Sequence, residues 1–473
     1  MNYKGIFYYL GIFSSLVSIF SFLNILYSIY FNSVINLNSY IFSLCISLLL
    51  SILFLLIGKN SNKNISPTDQ LILILVTFIF IPILISIPYL LSNNDMNFID
   101  SYFESISGFT TTGFSILQNI NNIDEPLLLW RSSSQLLGGL IFLTFAVGTL
   151  GSKYVKIKPT YLLSEENLVS NFYNNFNYNF IKILTIYFLS TLLIIFFYTV
   201  ANIRLLDSFN LAFTTISSGG FIPTDNLSDI IIHQYQLFIV TLTLLLPIFN
   251  FYLFFKIFTG KFNLNNHQED LHLGFLILFL ILFIYFFIIS DESIFSVSFA
   301  VISSIATSGI SINSSNFDVP LFFILLTIIG GSLLSASSGI KYVRFYILLK
   351  FSQNEIYRLV KPINIFNRNL FNSQLKIDYE DTKICFLVFI SFLLAIFILS
   401  SILTFENLSF QDSFNISILT MTNTASSSLY GIDNIYFNEM NNFTKISLII
   451  FMILARIEII AVLFLIKKFV YKE

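Results

Sequence analysis

Charge is scarce in this chain. Only 11% of its 473 residues are Asp, Glu, Lys or Arg, against about 25% in soluble domains. The net charge is −2 and no basic tail is present, which speaks against nucleic acid as a partner. There are two cysteines, Cys45 and Cys385, both inside apolar runs, where they read as buried reduced thiols. The three histidines, His233, His267 and His272, form no HExxH motif, and no carboxylate pair lies at membrane depth, so a membrane enzyme finds no support. No Walker motif and no convincing GxGxxG occur. The first apolar run lacks a small-residue cleavage site and reads as a retained helix, not a removed signal peptide.

What the chain does have is apolar length. It is 56% hydrophobic, with a mean hydropathy of +0.82. A soluble helical protein with a large core fails as an explanation, because runs such as Leu71 to Ser92 and Ile183 to Asn202 reach the roughly 20 residues that cross a bilayer as helix. Long apolar segments fall near 6–30, 39–58, 71–92, 127–150, 178–202, 231–258, 273–290, 320–350, 382–404 and 443–470. This predicts an all-α polytopic membrane protein of about ten transmembrane helices. Four segments of middling hydrophobicity, 98–117, 205–222, 294–312 and 410–428, are too short or polar to span and too apolar for plain loops. Re-entrant segments have that character, since non-helical backbone at membrane depth survives only buried in protein or lining a wet cavity.

Charge asymmetry sets the orientation. With the N-terminus inside, basic residues such as Lys59, Lys256, Lys341, Arg344, Lys350 and Arg358 fall on the inner side. The outer side carries mostly acids, among them Asp100, Glu104, Asp124, Glu125, Asp207 and Asp412, opposed only by Arg204, Lys445 and the boundary residue Arg131. All four middling segments then enter from outside, through an acidic mouth that concentrates cations.

These segments are copies of one device. The first reads DSYFESISGFTTTGF from Asp100, the second DSFNLAFTTISSGGF from Asp207, the third SVSFAVISSIATSGI from Ser296, and the fourth DSFNISILTMTNTAS from Asp412. Aligned on the cap, the series ends on Gly113, Gly220, Gly309 and Ala425. Asp100, Asp207, Ser296 and Asp412 are expected to cap short helices, an acid there also suiting the positive helix end. The small residues that follow let four strips approach one axis, and glycine permits the backbone angles that turn carbonyls inward. A ring of carbonyls can replace the hydration shell of a monovalent cation. One such segment alone reads rather as an ordinary polar helix contact. Four at matched register, sharing one orientation, favour a pore over the inverted repeats of a secondary transporter of small solutes.

These residues resemble the TrkH/TrkG type of potassium uptake protein in the Trk/Ktr/HKT superfamily. FESISGFTTTGFS looks like its first filter and FTTISSGGF like its second. LLLWRSSSQLLGGLIFLTFAVGTL, GGSLLSASSGIKYVR and ARIEIIAVLFL resemble, in turn, the helix after the first pore loop, the broken second helix of the third repeat and the last helix. The resemblance covers nearly the whole chain. It implies two N-terminal helices (1–66), then four helix–pore-loop–helix repeats in pseudo-four-fold arrangement at 67–160, 161–262, 263–365 and 366–473. It implies a filter of Thr111, Thr112, Gly113, Ser218, Gly219, Gly220, Thr307, Ser308, Gly309, Asn423, Thr424 and Ala425, with K⁺ as the transported ion and no cofactor in this chain. It implies a gate of Gly330, Gly331, Ser335, Ser337, Ser338, Gly339, Lys341 and Arg456. It further implies a homodimer in the inner membrane, its N-terminus cytoplasmic, with a cytoplasmic nucleotide-binding (RCK-type) regulatory subunit.

A charge in a membrane helix is costly and usually functional. Glu458 stands two positions after Arg456, on a different helix face, so Arg456 is expected to find its partner in backbone carbonyls of the Ser-rich loop. Arg131 reads either as solvated or as a pore-mouth residue. The sequence departs from the family at Ala425, where glycine is usual. Alanine forced into a left-handed conformation costs roughly 1–2 kcal/mol, so a differently shaped quarter or a less selective Na⁺/K⁺ filter is expected. Leu333 and Leu334 likewise stand where the gate loop usually has small residues.

Overall fold

The computed structural model describes residues 2–33, 35–61, 65–92, 96–150, 176–258, 267–289, 292–312, 317, 319–360, 369–371, 377, 379–406, 408–432, 435–459, 461–463 and 467. The repeat junctions expected at 160/161, 262/263 and 365/366 lie outside the described residues.

Two long helices open the chain, α1 (Tyr3–Tyr30) and α2 (Leu37–Gly58). Their packing is inside-out relative to a soluble protein. The buried stripe of α2 is Ser39, Ser43, Ser47 and Ser51, at four-residue spacing, while Leu49, Leu53 and Leu56 face outward. Helices in lipid gain nothing by hiding leucine from leucine-like tails, so small and hydroxyl residues take the contact. Ser21 Oγ meets Ser43 Oγ at 3.1 Å, and Ser51 Oγ donates to the Gly11 carbonyl at 2.9 Å. Cys45 also lies on the exposed face, whereas Cys385 is buried; the expectation of two buried thiols holds for one of them.

Four copies of a helix, a short helix and a second helix follow. The first has α3 (Pro67–Leu90), α4 (Phe98–Phe109) and α5 (Glu125–Leu150). The second has α6 (Phe176–Val200), α7 (Leu205–Ser217), and a second helix divided into α8 (Gln234–Leu244) and α9 (Phe251–Phe258). The third has α10 (Gln268–Phe287), α11 (Ile294–Ile305), α12 (Pro320–Ile329) and, beyond an irregular loop, α13 (Tyr342–Val360). The fourth has α14 (Tyr379–Leu403), α15 (Phe410–Met421) and α16 (Asn442–Ile457). The chain is an all-α polytopic membrane protein.

Among the described residues, six helices are long and apolar enough to span a membrane by themselves, namely α1, α2 and the first helix of each repeat. The second helices complete the expected set of about ten. They carry more polar residues, and only α5 runs unbroken over its described length. Sequence reading expected one broken second helix, in the third repeat. The structure also interrupts the one in the second repeat, between Leu244 and Phe251, and α16 breaks at Glu458, where φ is +70°.

The repeats close into a ring. Each short helix packs on the first helix of its own repeat, α4 on α3, α7 on α6, α11 on α10 and α15 on α14. Each second helix packs on the short helix of the next repeat, α5 on α7, α8 on α11, α12 on α15, and finally α16 back on α4.

Candidate ion pathway

The short helices start three residues earlier than the sequence suggested. Their N-caps are Asn97, Arg204, Ser293 and Ser409, and the expected caps Asp100, Asp207, Ser296 and Asp412 occupy the third helical position instead. Asn97, Ser293 and Ser409 accept the backbone N–H of that third residue, at 2.9, 3.2 and 3.1 Å. The pattern was read one turn late because Asp and Ser suit either place: at the third position they are still within the first turn, beside the positive dipole end.

At the inner ends the four short helices terminate identically. Thr111, Ser218, Thr307 and Asn423 are left-handed, with φ of +59°, +60°, +57° and +46°. Each donates its N–H three residues back, and the next N–H reaches five residues back, from Thr112 to Ser107, Gly219 to Thr214, Ser308 to Ser303 and Thr424 to Leu419, at 2.8 to 3.1 Å. This is a Schellman end, repeated four times on residues that are not glycine. In three copies the hydroxyl at the start of that turn ties down the departing strand: Ser107 Oγ donates to Phe114 O at 2.6 Å, Thr214 Oγ1 to Phe221 O at 2.8 Å, and Ser303 Oγ to Ile310 O at 2.7 Å. The fourth copy has Leu419 there and no such tie.

The four strands after the turns are brought together. Ser218 Oγ contacts Ala306 O and lies 3.2 Å from Thr307 Oγ1, joining the second and third. Asn423 Nδ2 donates to Thr112 Oγ1 at 2.9 Å, joining the fourth and first, and to Met452 O at 3.1 Å. Among the described residues, no backbone carbonyl of 111–113, 218–220, 307–309 or 423–425 accepts a hydrogen bond. Backbone carbonyls at membrane depth need a partner, and these have none among the described residues.

Ala425 departs from expectation. It is not left-handed; neither is Gly220, while Gly113 and Gly309 are, at +83° and +69°. The cost expected for alanine therefore does not arise. Its methyl group instead stands where the strands converge. A Cβ built on Gly113 would lie 2.8 Å from the Ala425 Cβ, and one built on Gly220 only 2.1 Å from it.

Behind the first strand lies a buried ion pair between Glu104, expected among the outer acids, and Arg131, expected either solvated or at the pore mouth. Arg131 Nε meets Glu104 Oε1 at 3.0 Å, with the side chains 2% and 0% exposed. Glu104 also accepts from Ile116 N at 2.8 Å and Ser115 Oγ at 3.1 Å. The Arg131 guanidinium lies 4.2 Å over the Phe221 ring of the second strand. The periodicity could have found this pair: Glu104 is the only acid on an otherwise buried face of FESISGF. Gln135, one turn on from Arg131, backs the second strand with its amide oriented toward Thr214 Oγ1, Gly220 N and Phe221 N, each at 3.2 Å.

Three of the acids expected at the outer mouth are compensated. Lys445 Nζ meets Asp100 Oδ1 at 2.6 Å, Arg204 pairs with Glu125, and Arg131 pairs with Glu104. The three basic residues that opposed the outer pattern thus each neutralise an outer acid. Burial raises the Asp124 carboxyl above its usual range, against the pull of the Asn36 amide.

Beneath the strands sits the loop 330–341, left-handed at Gly330, Gly339 and Lys341. Ser338 N donates to Thr307 Oγ1 at 2.9 Å, so the loop touches the third strand directly. Lys341 Nζ binds Ser335 O at 3.2 Å, Ser335 Oγ at 3.1 Å and the Ser337 carbonyl. The loop carbonyls expected to satisfy Arg456 are therefore taken by Lys341. Arg456 Nη1 donates instead to Ser338 Oγ at 2.5 Å, and its guanidinium lies 3.9 Å from the Phe142 ring centre. Arg456 Nε and Nη2 have no hydrogen-bond partner among the described residues. Glu458 faces away from it, as expected, and pairs with Arg344. Leu333 and Leu334 are buried, 1% and 3% exposed.

No family model matches the chain. Individual proteins do. A potassium transporter TrkH from Vibrio parahaemolyticus has a crystal structure that superposes with a TM-score of 0.84, covering 98% of both chains at 20% identity. The resemblance is to the TrkH/TrkG type. The Trk system potassium uptake protein TrkG of Escherichia coli strain K12 is 25% identical over 438 residues, 88% of each chain. An uncharacterized cation transporter of Methanocaldococcus jannaschii is 25% identical over 436 residues, 89% of each. The likeness to the Trk proteins thus runs through all four repeats and is not confined to the TTTG stretch.

Proposed function

We propose that this chain is a potassium uptake protein, a transporter and not an enzyme, and that K⁺ crosses on the carbonyls of residues 111–113, 218–220, 307–309 and 423–425. The observation that carries the reading is that these buried carbonyls converge from four identical helix ends and accept no hydrogen bond among the described residues. Such oxygens can stand in for the water shell of a monovalent cation. The Trk relatives are named potassium uptake proteins, which supports that ion over others.

The loop 330–341 acts as the gate. It lies against Thr307, and it brings the Lys341 ammonium under the ring while holding the Arg456 guanidinium through Ser338. Two buried cations beneath a cation path oppose passage by plain repulsion. Opening requires the loop and these two side chains to move aside. The protein works in the cell membrane with its N-terminus inside, as a homodimer with a cytoplasmic nucleotide-binding subunit, as its Trk-like character implies.

The test is growth and rubidium uptake in a cell lacking its own potassium uptake. Wild type restores both, and Gly113→Asp, which places a carboxylate among Gly220 and Ala425, abolishes them. Equal transport by the two proteins rules the ring out as the path.

A further inference from the structure

We infer that Glu269 is the residue that anchors the proposed gate loop, and that the N-terminus of α10 is the handle by which the loop is moved. This rests on the gating reading above. The loop 330–341 is irregular backbone at membrane depth, and its N–H groups need acceptors. Two find carbonyls released by the interrupted second helix of the second repeat: Ser332 N donates to Ile248 O at 2.8 Å and Ser337 N to Pro247 O at 3.1 Å. A third is held differently. Leu333 N donates to Glu269 Oε1 at 2.9 Å, a side chain 64 positions away.

Glu269 is 1% exposed. A buried carboxyl group is costly unless it is hydrogen-bonded, and among the described residues the bond to Leu333 N is the one that Glu269 makes, its Oε2 having no partner. The next residue completes the arrangement. Asp270 Oδ1 accepts from Asn250 N at 2.9 Å, and its Oδ2 lies 3.2 Å from His267 Nδ1. The adjoining Phe251 N donates to Leu334 O at 3.0 Å. Two consecutive residues in the first turn of α10 therefore hold two layers, Glu269 the loop and Asp270 the segment that backs it. Both carboxyl groups sit in the first turn of the helix, so a single helix end carries the acceptors for both layers. A displacement of this helix end is transmitted to the loop through Leu333.

Rubidium uptake by the purified full-length protein in vesicles tests this. Glu269→Ala releases Leu333 and raises flux by roughly two- to tenfold, the factor carried by one net hydrogen bond. Glu269→Gln keeps an amide oxygen that accepts from Leu333 and stays within about twofold of wild type. Adding Gly113→Asp to Glu269→Ala removes the extra flux, which excludes a leak around the protein. A Glu269→Ala protein no faster than wild type, or a Glu269→Gln protein as fast as the alanine variant, overturns the assignment. Arg456→Ala, which frees the opposite side of the loop, separates the two readings. If it raises flux and Glu269→Ala does not, the loop is the gate and Glu269 is not its anchor. If neither raises flux, the gating reading itself fails.

Discussion

Arg344 reaches from α13 to the break in α16 and holds both carboxylate oxygens of Glu458 with one nitrogen, Nη2, at 3.0 and 2.8 Å. Arg344 is 2% exposed and Glu458 28%. The positive φ of Glu458 turns its carboxylate toward Arg344 and away from Arg456. The pair joins the helix that follows the gate loop to the last described helix.

Removing Glu458 strands Arg344 without its anion. Glu458→Gln is expected to lower the unfolding temperature in detergent, by less than the roughly 3–5 kcal/mol that breaking a fully buried pair costs, because Glu458 keeps some contact with solvent. Replacing both residues by methionine should recover much of the loss. Thermal unfolding of Glu458→Met, Arg344→Met and the double-methionine variant measures this; additive losses would mean that the pair is not coupled.

The methyl group of Ala425 is expected to restrict the path. Ala425→Gly should raise rubidium flux, and Gly220→Ala should abolish it, since its Cβ would lie 2.1 Å from that of Ala425. The double variant Gly220→Ala/Ala425→Gly should recover part of the flux, because it removes the contact between the two methyl groups but leaves the new Cβ 2.5 Å from Ser308 O. Tracer uptake by the three proteins decides the matter; a double variant as dead as Gly220→Ala would show that the contact is not what stops the ion.

The three hydroxyl ties are expected to set selectivity more than fold. Thr214→Val keeps the shape and loses the bond to Phe221 O, a net loss of about 1 kcal/mol. The strand is then freer to fit a smaller ion, so the preference for Rb⁺ over Na⁺ should fall. Leu419→Ala, in the copy that has no tie, should leave that ratio where it was. Competition between the two ions in vesicles reads both.

Glu104→Gln should act in the same direction from behind the strand. It leaves Arg131 at 2% exposure without its counter-charge and weakens the hold on Ser115 and Ile116. The expected result is a lower Rb⁺/Na⁺ ratio together with a lower unfolding temperature. An unchanged ratio in a protein that is still folded would make the pair purely structural.

The sequence revealed the parts governed by short-range pattern. Apolar runs marked the helices, and the repeated D/S-to-glycine spacing marked the four re-entrant segments, because both are local. The caps were misplaced by three residues since Asp and Ser are stabilising at either position of a first turn. Ala425 was misjudged because the left-handed residue in each copy is Thr111, Ser218, Thr307 or Asn423, two places earlier, and hydroxyl residues and Asn do not announce that conformation as glycine does. Glu104 was legible as an acid on a buried helix face, though not its partner 27 positions on, and Glu269 carried no such sign, its partner standing 64 positions away. His267 is buried beside Asp270, three positions on.

The ring of helix contacts has a consequence for how the protein is made. Each second helix completes the wall of the repeat after it, and the last of these contacts, α16 on α4, joins residues near 450 to residues near 100. Contacts this distant along the chain form late. The first turn of the device, with its threonines already in place, therefore waits without a neighbour on one side until nearly the whole polypeptide has been inserted. A ribosome that stops early leaves an incomplete ring, and a truncated chain lacking α16 is missing the wall that the first quarter depends on.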